Sequence, residues 1–168
     1  MGLNYNPSII VNGLQYALDL GNAKCYPGSG NTAYDLTGQV GLAALTNGPS
    51  YNSNLNGFLS FDGTNDYLAI PDAKLLDLGA NFTISAWIKR ENNTLKDMSI
   101  VSKRDVAYSN GGYDFKITDE GKAELSWKNS STQTITSNTI IPENIWHQVA
   151  FIYDSGIDST SVFIDGVL

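Results

Sequence analysis

The residues whose types and spacing could do chemistry fall in two Asp-rich stretches and among the aromatics. In "DGTND", Asp62, Asn65 and Asp66 crowd two carboxylates and an amide into one short segment, and "RDVAYSNGGYD" offers Asp105, Asn110 and Asp114 in the same way. Calcium takes oxygens from carboxylates, amides and backbone carbonyls, and Asp-rich loops between strands supply them without a strict motif. Both sets are therefore candidate Ca2+ ligands; the competing reading is that the carboxylates cap their own turns. Tyr108, Tyr113 and Trp127 sit at or beside loops, where an aromatic ring can stack on a sugar while Asn and Asp take its hydroxyls. They are the candidate glycan-binding residues, with Trp127 reading equally well as a core residue, whereas Trp87 and Trp146 are expected to fill a core.

No catalytic residue is expected. A retaining glycosidase needs two carboxyls roughly 5 Å apart, which on one strand means same-face residues spaced by two. The glutamates, Glu91, Glu120, Glu124 and Glu143, have no acidic residue at that spacing on a clear strand. His147, the one histidine, reads as a hydrogen-bonded structural residue, and Cys25, the one cysteine, as a bystander thiol without a base to activate it. The chain is read as a non-enzyme with no cofactor beyond the calcium considered above.

Charge narrows the partners. Net charge is −7 and the ten Lys and Arg are scattered, so the basic footprint that a phosphate backbone requires is missing and nucleic acid is not an expected partner. A single cysteine gives neither a disulfide framework nor a cysteine zinc cage. The N-terminus has no basic segment followed by a long apolar run, so neither a signal peptide nor a membrane span is expected.

What must position these residues is a β scaffold. With 16% charged residues and 16 Gly, the composition suits short strands and tight turns better than solvent-facing helices. Leu14 to Leu20 reads as a strand before a Gly/Pro loop. Residues 58–61 and 67–70 read as the two arms of a hairpin around "DGTND". In "NFTISAWIKRE", Phe82, Ile84, Ala86 and Ile88 point one way and Thr83, Ser85, Trp87 and Lys89 the other, the period of a half-buried strand. Further strands follow in "MSIVSK", "YDFKIT", "AELSW", "QTITS", "WHQVAFIYD" and "SVFID", and the one helical window, "PDAKLLDLG", has room for a single turn. Short strands separated by turn formers predict an all-β fold, a two-sheet antiparallel β-sandwich, in residues 13–168 after a lead segment, 1–12. At the end, Asp165-Gly166 is a strong two-residue hairpin signal with only Val167 and Leu168 after it. The sandwich therefore reads as truncated at its C-terminus, its return arm supplied by further residues or by another molecule.

The anchors Phe61-Asp62-Gly63, Asp66-Tyr67, the Trp87 strand, Trp146-His147 and Phe163-Ile164-Asp165-Gly166 resemble the laminin-G-like, concanavalin A-like jelly-roll superfamily. The upstream run "GLQYALDLGNAKCYPGSGNTAYDLTGQVGLAALTNGPSYNSNLNGFLSFDGTNDYL" is similar to a version of the domain common in structural proteins of tailed bacteriophages. That resemblance implies a virion structural protein on the particle surface, as capsid decoration or as a tail or head fibre component. It would associate with other virion proteins and with copies of itself, a trimer by the usual preference for symmetric assemblies, and adhere to host glycans. The alternative it implies is a calcium-assisted, lectin-like carbohydrate-binding module. Relatives place calcium on loops at a sheet rim, and where the pentraxin-like branch carries an Asp-Asn pair this chain has Asp105 followed by Val106.

Overall fold

The computed structural model describes residues 12–91, 96–104, 112–128 and 131–168. Asp105, Tyr108 and Asn110 lie outside the described residues. The chain divides into two compact units, Met1–Asp77 and Leu78–Leu168.

In the first unit, β1 (Thr32–Tyr34), β2 (Leu42–Thr46) and β5 (Tyr67–Ala69) form an antiparallel sheet in the order β1-β2-β5, and β3 (Ser50–Asn52) pairs with β4 (Phe58–Ser60). Its core gathers Cys25, Tyr26, Ala33, Ala43, Leu45 and Leu59. Two sequence expectations are corrected here. Leu14 to Leu20 forms no strand, because its backbone partners are a side chain and a turn rather than a neighbouring strand. Asp35 accepts hydrogen bonds from the backbone N–H of Ala17, Thr37, Gln39 and Val40, and Leu36 N donates to the Ala17 carbonyl. Burial pushes the Asp35 carboxyl up, but these donors and the Thr37 hydroxyl outweigh it and hold the group below the usual range. Nor do the segments around "DGTND" make a hairpin, since β4 pairs with β3 and β5 with β2. The helical window does give a single 3-10 turn, Lys74–Leu76.

The second unit holds β6 (Asn81–Ile88), β7 (Met98–Arg104), β8 (Gly112–Ile117), β9 (Lys122–Lys128), β10 (Thr132–Ile140), β11 (His147–Asp154) and β12 (Ser159–Ile164). They make two antiparallel sheets, β10-β9-β8-β7 and β12-β11-β6. Every strand expected from periodicity between residues 82 and 165 is present. Alternation buries Tyr113, Phe115 and Ile117 of β8 and Ala123, Leu125 and Trp127 of β9 against Val149 and Phe151 of β11. Phe115 and Phe151 meet edge to face across the sandwich, centroids 4.9 Å apart, each stabilising the stack by about 1.5–3 kcal/mol of apolar burial.

Two local devices complete the unit. Where the β9–β10 register shifts between Thr136 and Ile140, the buried Ser137 hydroxyl accepts from Ala123 N (3.1 Å) and donates to the Thr139 carbonyl (2.7 Å), replacing the interrupted ladder. After β12, Asp165 (φ 53°) and Gly166 (φ 78°) form the Asp-Gly turn that the sequence signals, closed by hydrogen bonds in both directions between Ile164 and Val167. The Asp165 carboxylate steadies that conformation by accepting from Gln148 N (2.9 Å) and His147 Nδ1 (2.7 Å).

Candidate functional site

Because strand residues alternate, burying one set presents the other, and the two sheets of the second unit each offer an outward face. On the four-stranded sheet the register aligns three cross-strand rows: Ser99–Lys116–Glu124–Thr136, Ser102–Asp114–Ser126–Thr134, and Arg104–Gly112–Lys128–Thr132. Their polar groups are largely committed to one another. Lys116 Nζ binds Asp97 at 2.6 Å and Glu124 at 3.1 Å, and Glu124 also accepts from the Thr136 hydroxyl. Asp114 takes Arg104 at 3.1 Å and the Ser99 hydroxyl at 3.0 Å, and Ser126 pairs with Thr134. Hydrogen bonding to Lys116 holds the Asp97 carboxyl below its ordinary range, and Asp97 in turn raises the Lys116 ammonium.

The outward face of the three-stranded sheet is different in kind. Its rows are Thr83–Ile152–Ser161 and Ser85–Ala150–Phe163, with Trp87 opposite Gln148 at the end nearest Asp165. Trp87 is 65% exposed and Ile152 41%. Among the described residues, the side chains of Thr83, Ser85, Gln148 and Ser161 make no hydrogen bond to the protein.

The residues singled out from the sequence fall elsewhere. Asp62 Oδ1 accepts from Thr64 N (2.8 Å) and Asn65 N (3.2 Å), and Asp66 Oδ2 from Asp62 N (3.0 Å). The Asn65 carbonyl takes the Asn47 amide, so "DGTND" is held together by its own caps. Those N–H donors, from Thr64 first, keep the Asp62 carboxyl below its usual range. Asp114, expected in a loop, is inside β8, 4% exposed and tied to Arg104. Among the described residues no three His, Cys, Asp or Glu side chains gather around a common point.

The expectation that Tyr113 and Trp127 are exposed is corrected. They are 6% and 7% exposed, on the inward faces of β8 and β9, and Trp127 packs against Phe82 and Tyr153. Trp87, expected in the core, is the open one. A sequence signal for both existed: Trp127 shares its strand face with Ala123 and Leu125, whereas Trp87 shares its face with Thr83, Ser85 and Lys89.

His147 is buried, its Nδ1–H donating to the ionised Asp165 carboxylate, which hydrogen bonding to His147 holds below the ordinary range. Its Nε2 is enclosed and, among the described residues, has no hydrogen-bond partner. Cys25 is fully buried in the first unit, and burial pushes its thiol up, away from the reactive thiolate.

Residues 62–168 match the family model of the concanavalin A-like lectin/glucanases superfamily. The chain belongs to that superfamily. Among solved structures this lectin/glucanase-like chain is similar to an S-layer domain-containing protein of Clostridium thermocellum, residues 221–444. Identity is 30%, over 82% of this chain and 63% of that one, with a TM-score of 0.52. It thus spans less than two thirds of that chain's length. A search of curated proteins finds no match.

The superfamily's name joins binders and hydrolases, so the carboxylates that Lys116 brings together, Asp97 and Glu124, need testing as a glucanase pair. Two oxygens held on one Nζ are close enough for a retaining pair. The ammonium excludes one of the two roles for Asp97, that of the general acid. A general acid must keep its proton near neutral pH, and the ammonium moves Asp97 in the opposite direction.

Proposed function

We propose that this protein is a non-enzymatic structural subunit of a tailed-bacteriophage particle, decorating the capsid or forming part of a tail or head fibre. It works through protein association and through adhesion to glycans. The observation that carries a surface-recognition role is the outward face of β6-β11-β12, which holds an indole open to solvent on an otherwise well-packed sandwich. A contiguous apolar patch set among polar groups marks a site of contact, and Trp87, Ala150, Ile152 and Phe163 share this face. Support for a particle comes from the run between Gly13 and Leu68, similar to phage structural proteins, and support for a non-catalytic role from the ion pair that keeps Asp97 from acting as a general acid.

The test is mass spectrometry on density-purified particles. The expected result is this polypeptide at a copy number that is a multiple of the particle's symmetry. A second reading is favoured by the likeness to an S-layer domain-containing protein: a component of a cell-surface layer. Recovery from the envelope fraction and not from particles would replace the first reading with the second. Turnover of any polysaccharide by the purified protein would overturn the non-catalytic part of both.

A further inference from the structure

We propose that the outward face of β6-β11-β12 is the adhesion surface itself, with Trp87 as a stacking platform selective for uncharged sugar chains. This rests on the adhesion part of the reading above and assigns it a place and a ligand chemistry. Three observations carry it. First, the indole is 65% exposed on a strand rather than a loop, so a hydrogen-bonded ladder holds the ring and little flexibility is lost when a ligand stacks on it. Second, the polar groups around it, Thr83, Ser85, Gln148 and Ser161, have hydroxyls and an amide with no protein partner, able to donate to and accept from sugar hydroxyls.

Third, the charge pattern discriminates among ligands. The eight residues of these rows include no Lys, Arg, Asp or Glu, although the chain as a whole carries −7; Lys89, the next residue on the same side after Trp87, is exposed and already has a partner within the protein. Asp154 and Asp165 stand at its two ends, where they repel an acidic polymer and leave a neutral one unaffected. Residues 83 to 87 span about 13 Å along the strand and the three strands about 10 Å across it, a footprint for a short oligosaccharide rather than one ring.

The experiment uses the whole protein and three probes: dextran and laminarin as neutral polysaccharides, and alginate as an acidic one. Affinity electrophoresis and titration calorimetry measure binding by wild type, Trp87→Ala, Trp87→Tyr, and Ser126→Ala as a control on the opposite face. The expected result is binding to at least one neutral probe and none to alginate. Trp87→Ala should weaken that binding at least tenfold, Trp87→Tyr should retain part of it, and Ser126→Ala should leave it unchanged. The proposal is overturned if wild type binds neither neutral probe, if Trp87→Ala binds as wild type does, or if alginate binds best. It is also overturned if Trp87→Ala disrupts self-association in sedimentation while sugar binding persists, for then the face is a protein interface. Incorporation into particles is scored separately. A protein present in particles that binds no sugar refutes this assignment and leaves the particle reading standing, and a sugar binder absent from particles does the reverse.

Discussion

The two outward faces of the C-terminal unit rest on one shared core and have opposite surface chemistry. On the four-stranded sheet, charged and hydroxyl groups meet across every strand pair: Asp114 with Arg104, Lys116 with Glu124, Ser126 with Thr134. Such a face satisfies itself, and a ligand would have to break existing bonds to make new ones. On the three-stranded sheet the polar groups are unengaged and an indole stands clear. Alternation alone creates both faces. What separates them is whether neighbours in a row complement one another.

The largest effect expected is on Trp127, the tryptophan that the sequence places beside a loop and the structure places in the core. Trp127→Ala should cost about 3–5 kcal/mol in urea unfolding, because a large buried side chain leaves a cavity against Phe82 and Tyr153. Trp87→Ala should change the same measurement by no more than about 0.5 kcal/mol, the usual range for an exposed site. Equal losses would erase the distinction between the faces.

That pair also shows how far the sequence could be read. Most strands from residue 82 onward are legible because their apolar residues recur with period two over six to eight positions, and burial of one face enforces that pattern. The first unit is less so. Its strands are three to five residues long, and Leu14 to Leu20 is organised by the Asp35 carboxylate, a long-range side-chain contact with no periodic trace. The site is less legible for a different reason: proximity to a loop does not imply exposure. The face a tryptophan shares with its i±2 neighbours predicts its exposure better, and by that rule Trp87 and Trp127 exchange places.

Next in size is the Arg104–Asp114 pair. Arg104→Ala should cost about 2–4 kcal/mol, since it strips a buried carboxylate of its counter-charge, and Asp114→Asn in the same background should recover part of the loss. A cost below about 0.5 kcal/mol would mean that the face is not self-satisfied, and the contrast with the Trp87 face would weaken.

A smaller effect should appear with pH. Lys116 lowers the Asp97 carboxyl in the folded state, so this pair's contribution is present above the unfolded carboxyl value near 4 and is lost as pH falls through the lowered folded value. The Lys116 ammonium is raised, so its share persists up to the ordinary lysine value near 10.4 and disappears as pH rises further. Asp97 is half exposed, so the effect should stay under about 1 kcal/mol. Urea midpoints between pH 7 and pH 3 should fall less steeply in Asp97→Asn than in wild type; an identical slope would remove Asp97 from the network.

The smallest effect expected is that of calcium on "DGTND", and it bears on the comparison because an ion there would add a recognition site on neither face. Binding would have to compete with what the loop's oxygens already do: Asp62 Oδ1 takes two N–H groups, Asp66 Oδ2 takes one, and the Asn65 carbonyl is occupied by Asn47. Calcium needs six or more oxygens, and three that this loop could offer already hold its turn together. Millimolar calcium should therefore move the unfolding temperature by less than about 1 °C, and EDTA should leave sugar binding at Trp87 intact. A rise of several degrees that Asp62→Ala abolishes would show that the caps give way to the ion, and the lectin-like reading with calcium would then regain its place beside the particle one.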